Sequence, residues 1–450
     1  MTTTRSFPHD FVWGVGTASY QIEGAVAEDG RRPSIWDTFS HTPGKIAHGD
    51  TGDVACDHYH RWADDLDLLV ELGVPSYRFS VAWARVMPDG RTVNQRGVDF
   101  YKRLVDGLAE RGISPVVTLY HWDLPQDLED RGGWRNREIV DLFTEYAVLM
   151  GKEIGDRTPV VTTLNEPWCS AYLGHATGEH APGMTDNGLA YPVAHHLNLA
   201  HGRAATALRG ILPAEGQVSV TLNLQEVLPA SDHPDDVAAA AHAESISNRI
   251  FLDPMLRGCY PDALLEGTAH LTDWSFVRDG DLAEIQAPLD FLGVNYYSPG
   301  MVTSRPGTTP WPGTDRAWRH DMDAPQTIMG WAIQPSALTD LLVRTHREFG
   351  LPLVVTENGI AGHDAVGADG AVHDPDRIDY LRDHLGAVLD AVEQGAEVRG
   401  YFGWTLLDNF EWAWGYDKRF GLVHVDFDDQ TRTSKDSARW FAGVIERNEL

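Results

Sequence analysis

The chain has 450 residues, of which 42% are hydrophobic and 23% charged, with a formal net charge of −30. That composition is ordinary for a globular protein and excludes a disordered chain. The negative charge is spread along the sequence, which argues against nucleic acid and anionic membrane as partners, since both select basic patches; a neutral or cationic small molecule fits better.

The N-terminus carries no apolar stretch of signal-peptide length and reaches a strand-like segment, 11–19, at once, so a cytoplasmic location is the expectation. Helical spacing of apolar residues over 59–72, closing on Gly73, predicts the first long helix. Strand 76–83, helix 97–111, strand 114–122, helix 137–154 and strand 159–166 follow. Helix 189–209 and strands 217–224 and 290–297 come next. A Pro/Gly/Thr-rich stretch, 305–316, reads as a loop. Helix 336–349, strand 352–357, helix 376–393 and strand 398–406 complete the pattern. Alternating strands and helices imply a parallel sheet, and eight strands imply a (β/α)8 barrel: one domain over 1–450, with long loops after the strands. An open doubly wound sheet is the alternative, but no strand is followed by a G-x-G-x-x-G turn. No run of 18 apolar residues predicts a membrane span. Cys56, Cys169 and Cys259 are far apart and odd in number, so no disulfide framework is expected. His195–His196 and the pair His58 and His60 lack a third ligand at metal spacing. No metal and no cofactor are expected; His58 and His60 are placed on exposed and half-buried faces of the first helix.

Active sites of such barrels lie at the C-terminal ends of the strands. Seven of the eight strands turn polar or aromatic there: Gln21 and Glu23, Arg78, His121–Trp122–Asp123, Asn165–Glu166, Asn295 and Tyr297, Glu357, then Trp404 and Asp408. That describes a ligand-lined crater. Glu166 and Glu357 each end a short β-branched run, where a carboxyl is costly unless it has partners or a task. Two carboxyls on separate strands of one sheet are what glycoside hydrolysis requires. The alternative is that both are solvated glutamates capping strand ends.

Eight strings in order carry a resemblance to a known family. They are F-V-W-G-V-G-T-A-S-Y-Q-I-E-G (11–24), R-F-S-V-A-W-A-R (78–85), L-Y-H-W-D-L-P (119–125), T-L-N-E-P-W (163–168), N-Y-Y (295–297), T-E-N-G (356–359), W-T-L-L-D-N-F-E-W (404–412) and R-F-G-L-V-H-V-D-F (419–427). With them the chain resembles glycoside hydrolase family 1, the β-glucosidase family. The resemblance implies a retaining mechanism, with Glu357 as nucleophile and Glu166 as acid/base. Arg78 would keep Glu357 ionised, Tyr297 would hydrogen-bond its carboxylate, and Asn165 would donate to the sugar 2-hydroxyl, with Asn295 as further support. The charge of Glu357 would raise the pKa of Glu166 until the glycosyl-enzyme forms. Gln21, His121, Trp122, Trp404, Glu411, Trp412 and Phe420 would bind the terminal sugar, with Trp404 as the floor. Trp168 and Trp331 would face the leaving group, while Trp62 packs in the core.

The branch acting on 6-phosphorylated glycosides replaces Glu411, whose charge would repel a phosphate, so unphosphorylated β-glucosides, with β-galactosides and β-fucosides as secondary substrates, are expected. Glutamine at position 166 would mark a thioglucosidase; this chain has glutamate. Gly16, where alanine is frequent in the family, is read as neutral. The partner is then a small glycoside or oligosaccharide, and a homo-oligomer is left open. A transglycosidase using the same intermediate and a non-catalytic sugar-binding barrel are the competing readings. The segments 168–190 and 300–330 are expected as long loops that select the leaving group.

Overall fold

The computed structural model of the protein describes residues 4–305, 310–314, 319–320 and 324–450. Eight parallel strands close into a barrel: β1 (Val12–Gly16), β2 (Ser76–Ser80), β3 (Ser114–Tyr120), β4 (Val160–Asn165), β5 (Gln217–Asn223), β6 (Phe291–Asn295), β7 (Leu353–Asn358) and β8 (Val398–Trp404). Each pairs with its sequence neighbours, and β8 closes on β1 with Trp13 opposite Tyr401. The expected (β/α)8 architecture is present, built on all eight expected segments.

The strands are β-branched and aromatic because both of their faces are covered, outward by helices and inward by the barrel's own packing. Near the N-terminal end, Val116, Phe291, Val354 and Phe402 fill the interior as an apolar plug. The long helices His58–Glu71, Gln95–Glu110, Glu138–Ile154, Ala190–Arg209, Pro335–Phe349 and Pro375–Glu393 match the six periodic segments. In Gln95–Glu110 the buried Val98, Tyr101, Leu104, Val105 and Leu108 recur at helical spacing and form the face laid on the barrel. Trp62 is partly buried against the core, as expected.

Several expectations need correction. Residues 81–83 leave β2, and Trp83–Val86 is a single helical turn. Between β5 and β6 the chain forms Pro234–Glu244, Ile250–Arg257 and Asp262–Thr268, none of them anticipated. The first is alanine-rich and shows no broad apolar stripe, and the second carries Pro254 in its interior, so neither announces itself by period. The closing helix Asp436–Arg447 was also unanticipated. Segment 168–190 is not all loop, since Cys169–Thr177 is helical with wide turns. His58 is fully buried, its Nδ1 against Asp65 at 2.8 Å, because the helix begins inward rather than at the surface; His60 is exposed. Of the 305–316 loop, residues 306–309 and 315–316 lie outside the described ones. Among the described residues no helix is long and apolar enough to cross a membrane.

Candidate active site

A cleft of about 410 Å³ opens at the C-terminal ends of the strands. Its wall contains Glu166, Glu357, Glu411, His121, Asn295 and Tyr297, together with seven large aromatic residues: Trp122, Trp168, Trp331, Trp404, Trp412, Trp414 and Phe420. Gln21, Arg78 and Asn165 lie directly behind that wall, buried and bonded to lining residues.

Irregular backbone aims the two glutamates. The register of β4 slips between Thr162 and Asn165, and that of β7 slips between Val355 and Glu357. Such bulges turn side chains that would alternate toward one side. Glu166 follows β4 with φ +46°; Trp122 and Trp412 have φ of +77° and +49°. Non-glycine residues resist this left-handed region, and three of them line one cleft, which marks it as a place where strain is tolerated for geometry.

The two carboxyls have unlike surroundings. Arg78, fully buried within β2, donates through Nη1 to Glu357 Oε1 at 2.6 Å, and the Tyr297 hydroxyl donates to Oε2 at 2.8 Å. Burial pushes the Glu357 carboxyl up, and Arg78 and Tyr297 oppose that rise. Glu166 touches no cation. Its Oε1 accepts from Asn295 Nδ2 at 2.7 Å, and its Oε2 accepts from Cys169 Sγ at 3.2 Å. Burial first, and the neighbouring Glu357 second, push Glu166 up to about 8. The expectation had named only the charge of Glu357; desolvation is the larger cause. Contact with Arg78 makes Glu357 the member of the pair that ionises first.

Arg78 also ties the pair together. Its Nη2 donates to Asn165 Oδ1 at 2.7 Å, and Asn295 Nδ2 donates to the same oxygen at 3.0 Å. Asn165 Nδ2 meets His121 Nε2 at 3.0 Å, so part of the donor expected for the sugar 2-hydroxyl is engaged by His121. Burial and Arg78 hold His121 well below the usual histidine range, hence neutral. With Asn165 donating to its Nε2, the proton sits on Nδ1, a buried nitrogen with no partner among the described residues.

The same economy holds next door. Gln21, on the helical turn Ser19–Ile22, spends its Nε2 on the Asn409 Oδ1, the Phe410 carbonyl and Glu411 Oε2, leaving Oε1 buried and without a partner among the described residues. Among the described residues no cation contacts Glu411, and burial followed by the charge of Glu357 pushes it up to about 8. The expectation took Glu411 as charged; its burial, and second the charge of Glu357, favour the protonated form instead. Unpaired buried polar atoms are costly, so a wall that retains Gln21 Oε1 and His121 Nδ1 fits a ligand dense in hydroxyls.

The aromatic residues divide by role. Trp404 packs with Phe420 and Ala18 at the base, its ring stacked on His121 at 5.7 Å. A Cβ on Gly16 would lie 3.0 Å from the Trp404 ring, a tight contact to which the ring would have to give by a few tenths of an ångström. Trp122 donates its indole N–H to the Asn165 carbonyl at 3.0 Å and packs on Trp412 at 4.5 Å, leaving its ring as the usable surface. Trp331 and Tyr297 pack on one side of the mouth, and Trp168 stacks on Tyr172 on the other. Trp168 Nε1 is buried without a partner among the described residues.

Sequence reasoning missed Cys169 and Thr356, which hold Glu166 and Asn295, and Asn223, Gln225, Glu179 and His180, which line the cleft. Thr356 stood in a quoted motif and Asn223 lies in the expected strand 217–224; the others lie in segments with no periodic signal.

A (β/α)8 barrel whose strand ends hold buried, unequal carboxyls in an aromatic, hydroxyl-seeking cleft defines an enzyme of the sugar-cleaving class. Comparison agrees with that class. The sequence pattern of Glycosyl hydrolase family 1 matches residues 3–450, and the chain belongs to that family. It is 53% identical to a bifunctional β-D-glucosidase/β-D-fucosidase of Bifidobacterium breve, over 98% of each chain. It is 46% identical to β-glucosidase A of Thermotoga maritima, over 99% of each. The solved structure of the family 1 β-glucosidase from Thermotoga maritima superposes with a TM-score of 0.95 at 45% identity, covering 100% of both chains.

Proposed function

We propose that this protein is a retaining β-glycosidase that removes terminal β-D-glucosyl residues from small glycosides and oligosaccharides, with β-galactosyl and β-fucosyl residues as secondary substrates. The carrying observation is the asymmetry of the two carboxyls: Arg78 and Tyr297 serve Glu357, while Glu166 has only the neutral donors Asn295 and Cys169. Ionised Glu357 attacks the anomeric carbon as protonated Glu166 delivers its proton to the glycosidic oxygen. The leaving alcohol departs, and the sugar is held as an ester on Glu357. That ester carries no charge, so one of the two causes raising Glu166 disappears, and Glu166 becomes the base that takes a proton from the attacking water.

The unspent Gln21 Oε1, His121 Nδ1 and the Glu411 carboxyl face the sugar's hydroxyls above Trp404, and Trp168 and Trp331 flank the leaving group. The names of the relatives, one of them a glucosidase and fucosidase, support glucose as the preferred sugar.

Azide separates the two roles. Glu357→Ala opens the α face, and azide then yields the α-glycosyl azide; Glu166→Ala leaves the nucleophile in place, and azide yields the β product. Each variant loses at least ~10³-fold in turnover on substrates with poor leaving groups. The same azide product from both variants overturns the assignment.

A further inference from the structure

The T-E-N-G motif contains a residue that the proposed mechanism leaves unused. Thr356 is buried, and its hydroxyl donates to Asn295 Oδ1 at 2.8 Å. It accepts in turn from the Thr221 hydroxyl at 3.3 Å. The three side chains come from the adjacent strands β5, β6 and β7. The register slip at Val355/Glu357 brings the consecutive Thr356 and Glu357 both to the barrel interior. Space for the two hydroxyls is made by Gly293, where a Cβ would lie 2.4 Å from Thr221 Oγ1 and 3.0 Å from Thr356 Oγ1.

The consequence falls on an amide. Asn295 can stand in two orientations, exchanging its oxygen and nitrogen. With Thr356 donating to Oδ1, the nitrogen must face Glu166 Oε1 and Asn165 Oδ1, where it donates to both. Without that hydroxyl, Oδ1 is a buried acceptor with no donor. Turned around, Asn295 would offer Glu166 an oxygen, which only a protonated carboxyl can satisfy.

We propose that Thr356 is a positioning residue for the acid/base: by locking the Asn295 amide it keeps a donor on Glu166 and so lets this carboxyl alternate between acid and base. This rests on Glu166 acting as acid/base. The other groups facing Glu166 are Glu357 on β7, Arg78 on β2, Glu411 after β8, Tyr297 after β6, His121 after β3 and Cys169 on the helix after β4. None of them takes over the bond to Oε1.

The test is Thr356→Val, which keeps the β-branched shape and removes the hydroxyl, with Thr356→Ser as the rescue. The basic limb of the kcat/KM–pH profile reports the acid in the free enzyme. In Thr356→Val it should move up by on the order of one pH unit, since a hydrogen bond to the charged form is lost. kcat/KM, which reports departure of the leaving group, should fall about tenfold on an alkyl β-glucoside and little on 2,4-dinitrophenyl β-glucoside, whose departure needs no proton. Thr356→Ser should restore both. An unmoved basic limb, or equal loss on both substrates, overturns the proposal and leaves Thr356 as packing. Should Thr356→Val not fold, Thr356→Ala carries the same expectation. Glu166→Ala on the same two substrates tests the underlying reading separately: if it shows no dependence on the leaving group, the acid/base assignment itself fails.

Discussion

Two buried, charge-dense regions lie on either side of the segment 405–421. Behind it, Lys435 bridges Asp408 at 2.7 Å and Asp364, Arg377 bridges Asp364 at 2.6 Å and Asp374, and Arg419 reaches Asp408 at 2.8 Å. Three cations face three carboxylates. In front of it, Glu166, Glu357 and Glu411 share the cleft, Arg78 contacts Glu357 alone of the three, and Gln21 Oε1, His121 Nδ1 and Trp168 Nε1 stand unpaired among the described residues. The rear cluster holds the segment bearing Glu411, Trp412 and Phe420 in place, and its polar partners are drawn from the protein itself. The front cluster is incomplete. Buried polar groups without partners cost stability, and these three stand in or directly behind the cleft wall, where a ligand could meet them.

Removing a partner should therefore have opposite effects on the two sides. Lys435→Met leaves Asp408 and Asp364 short of a cation and should destabilise the fold by about 3–5 kcal/mol, read from urea unfolding. The pH profile of the enzyme that remains folded should not move. A loss below ~1 kcal/mol would break the contrast.

Glu411→Ser should damage catalysis rather than folding. kcat/KM for a β-glucoside should fall by roughly 10- to 100-fold through lost contacts to sugar hydroxyls. The 4-deoxy and 6-deoxy glucosides should suffer less wherever the missing hydroxyl is the one bonded. Equal losses on all three substrates would mean that Glu411 acts through structure alone.

The pH dependence of stability sharpens the same point. Glu411 is pushed up to about 8 in the folded chain and returns to about 4.5 on unfolding. Between those values the folded state holds a proton that the unfolded state has lost, so stability falls as pH rises, by at most ~1.4 kcal/mol per pH unit from this group. Glu411→Gln removes that contribution. Its urea midpoint should decline less than that of the unsubstituted protein between pH 5 and pH 8; parallel declines would show that Glu411 is not held neutral.

The smallest effect is expected at Cys169, whose thiol donates to Glu166 Oε2. Cys169→Ala removes a donor from the charged form, so the basic limb of kcat/KM should move up by less than one pH unit. A downward shift would show that the thiol acts on Glu166 as an acceptor.

Much of this was legible locally. A strand buried on both faces must be apolar and short, and a helix laid on a barrel must repeat its apolar face, so β1–β8 and the six long helices are written in composition and period. Glu166 and Glu357 stood out because each ended such a run. Pro234–Glu244 and Cys169–Thr177 carry no such signature, because alanine-rich and irregular helices owe their form to the surfaces that receive them. The charge states were decided by the tertiary structure alone. Desolvation and the contacts of Arg78 depend on three-dimensional closure of the barrel, which brings residues 78, 166, 357 and 411 into one enclosed space. The sequence could say that Glu411 is a glutamate; only its burial in the closed barrel, with Glu357 beside it, pushes this carboxyl toward its protonated form.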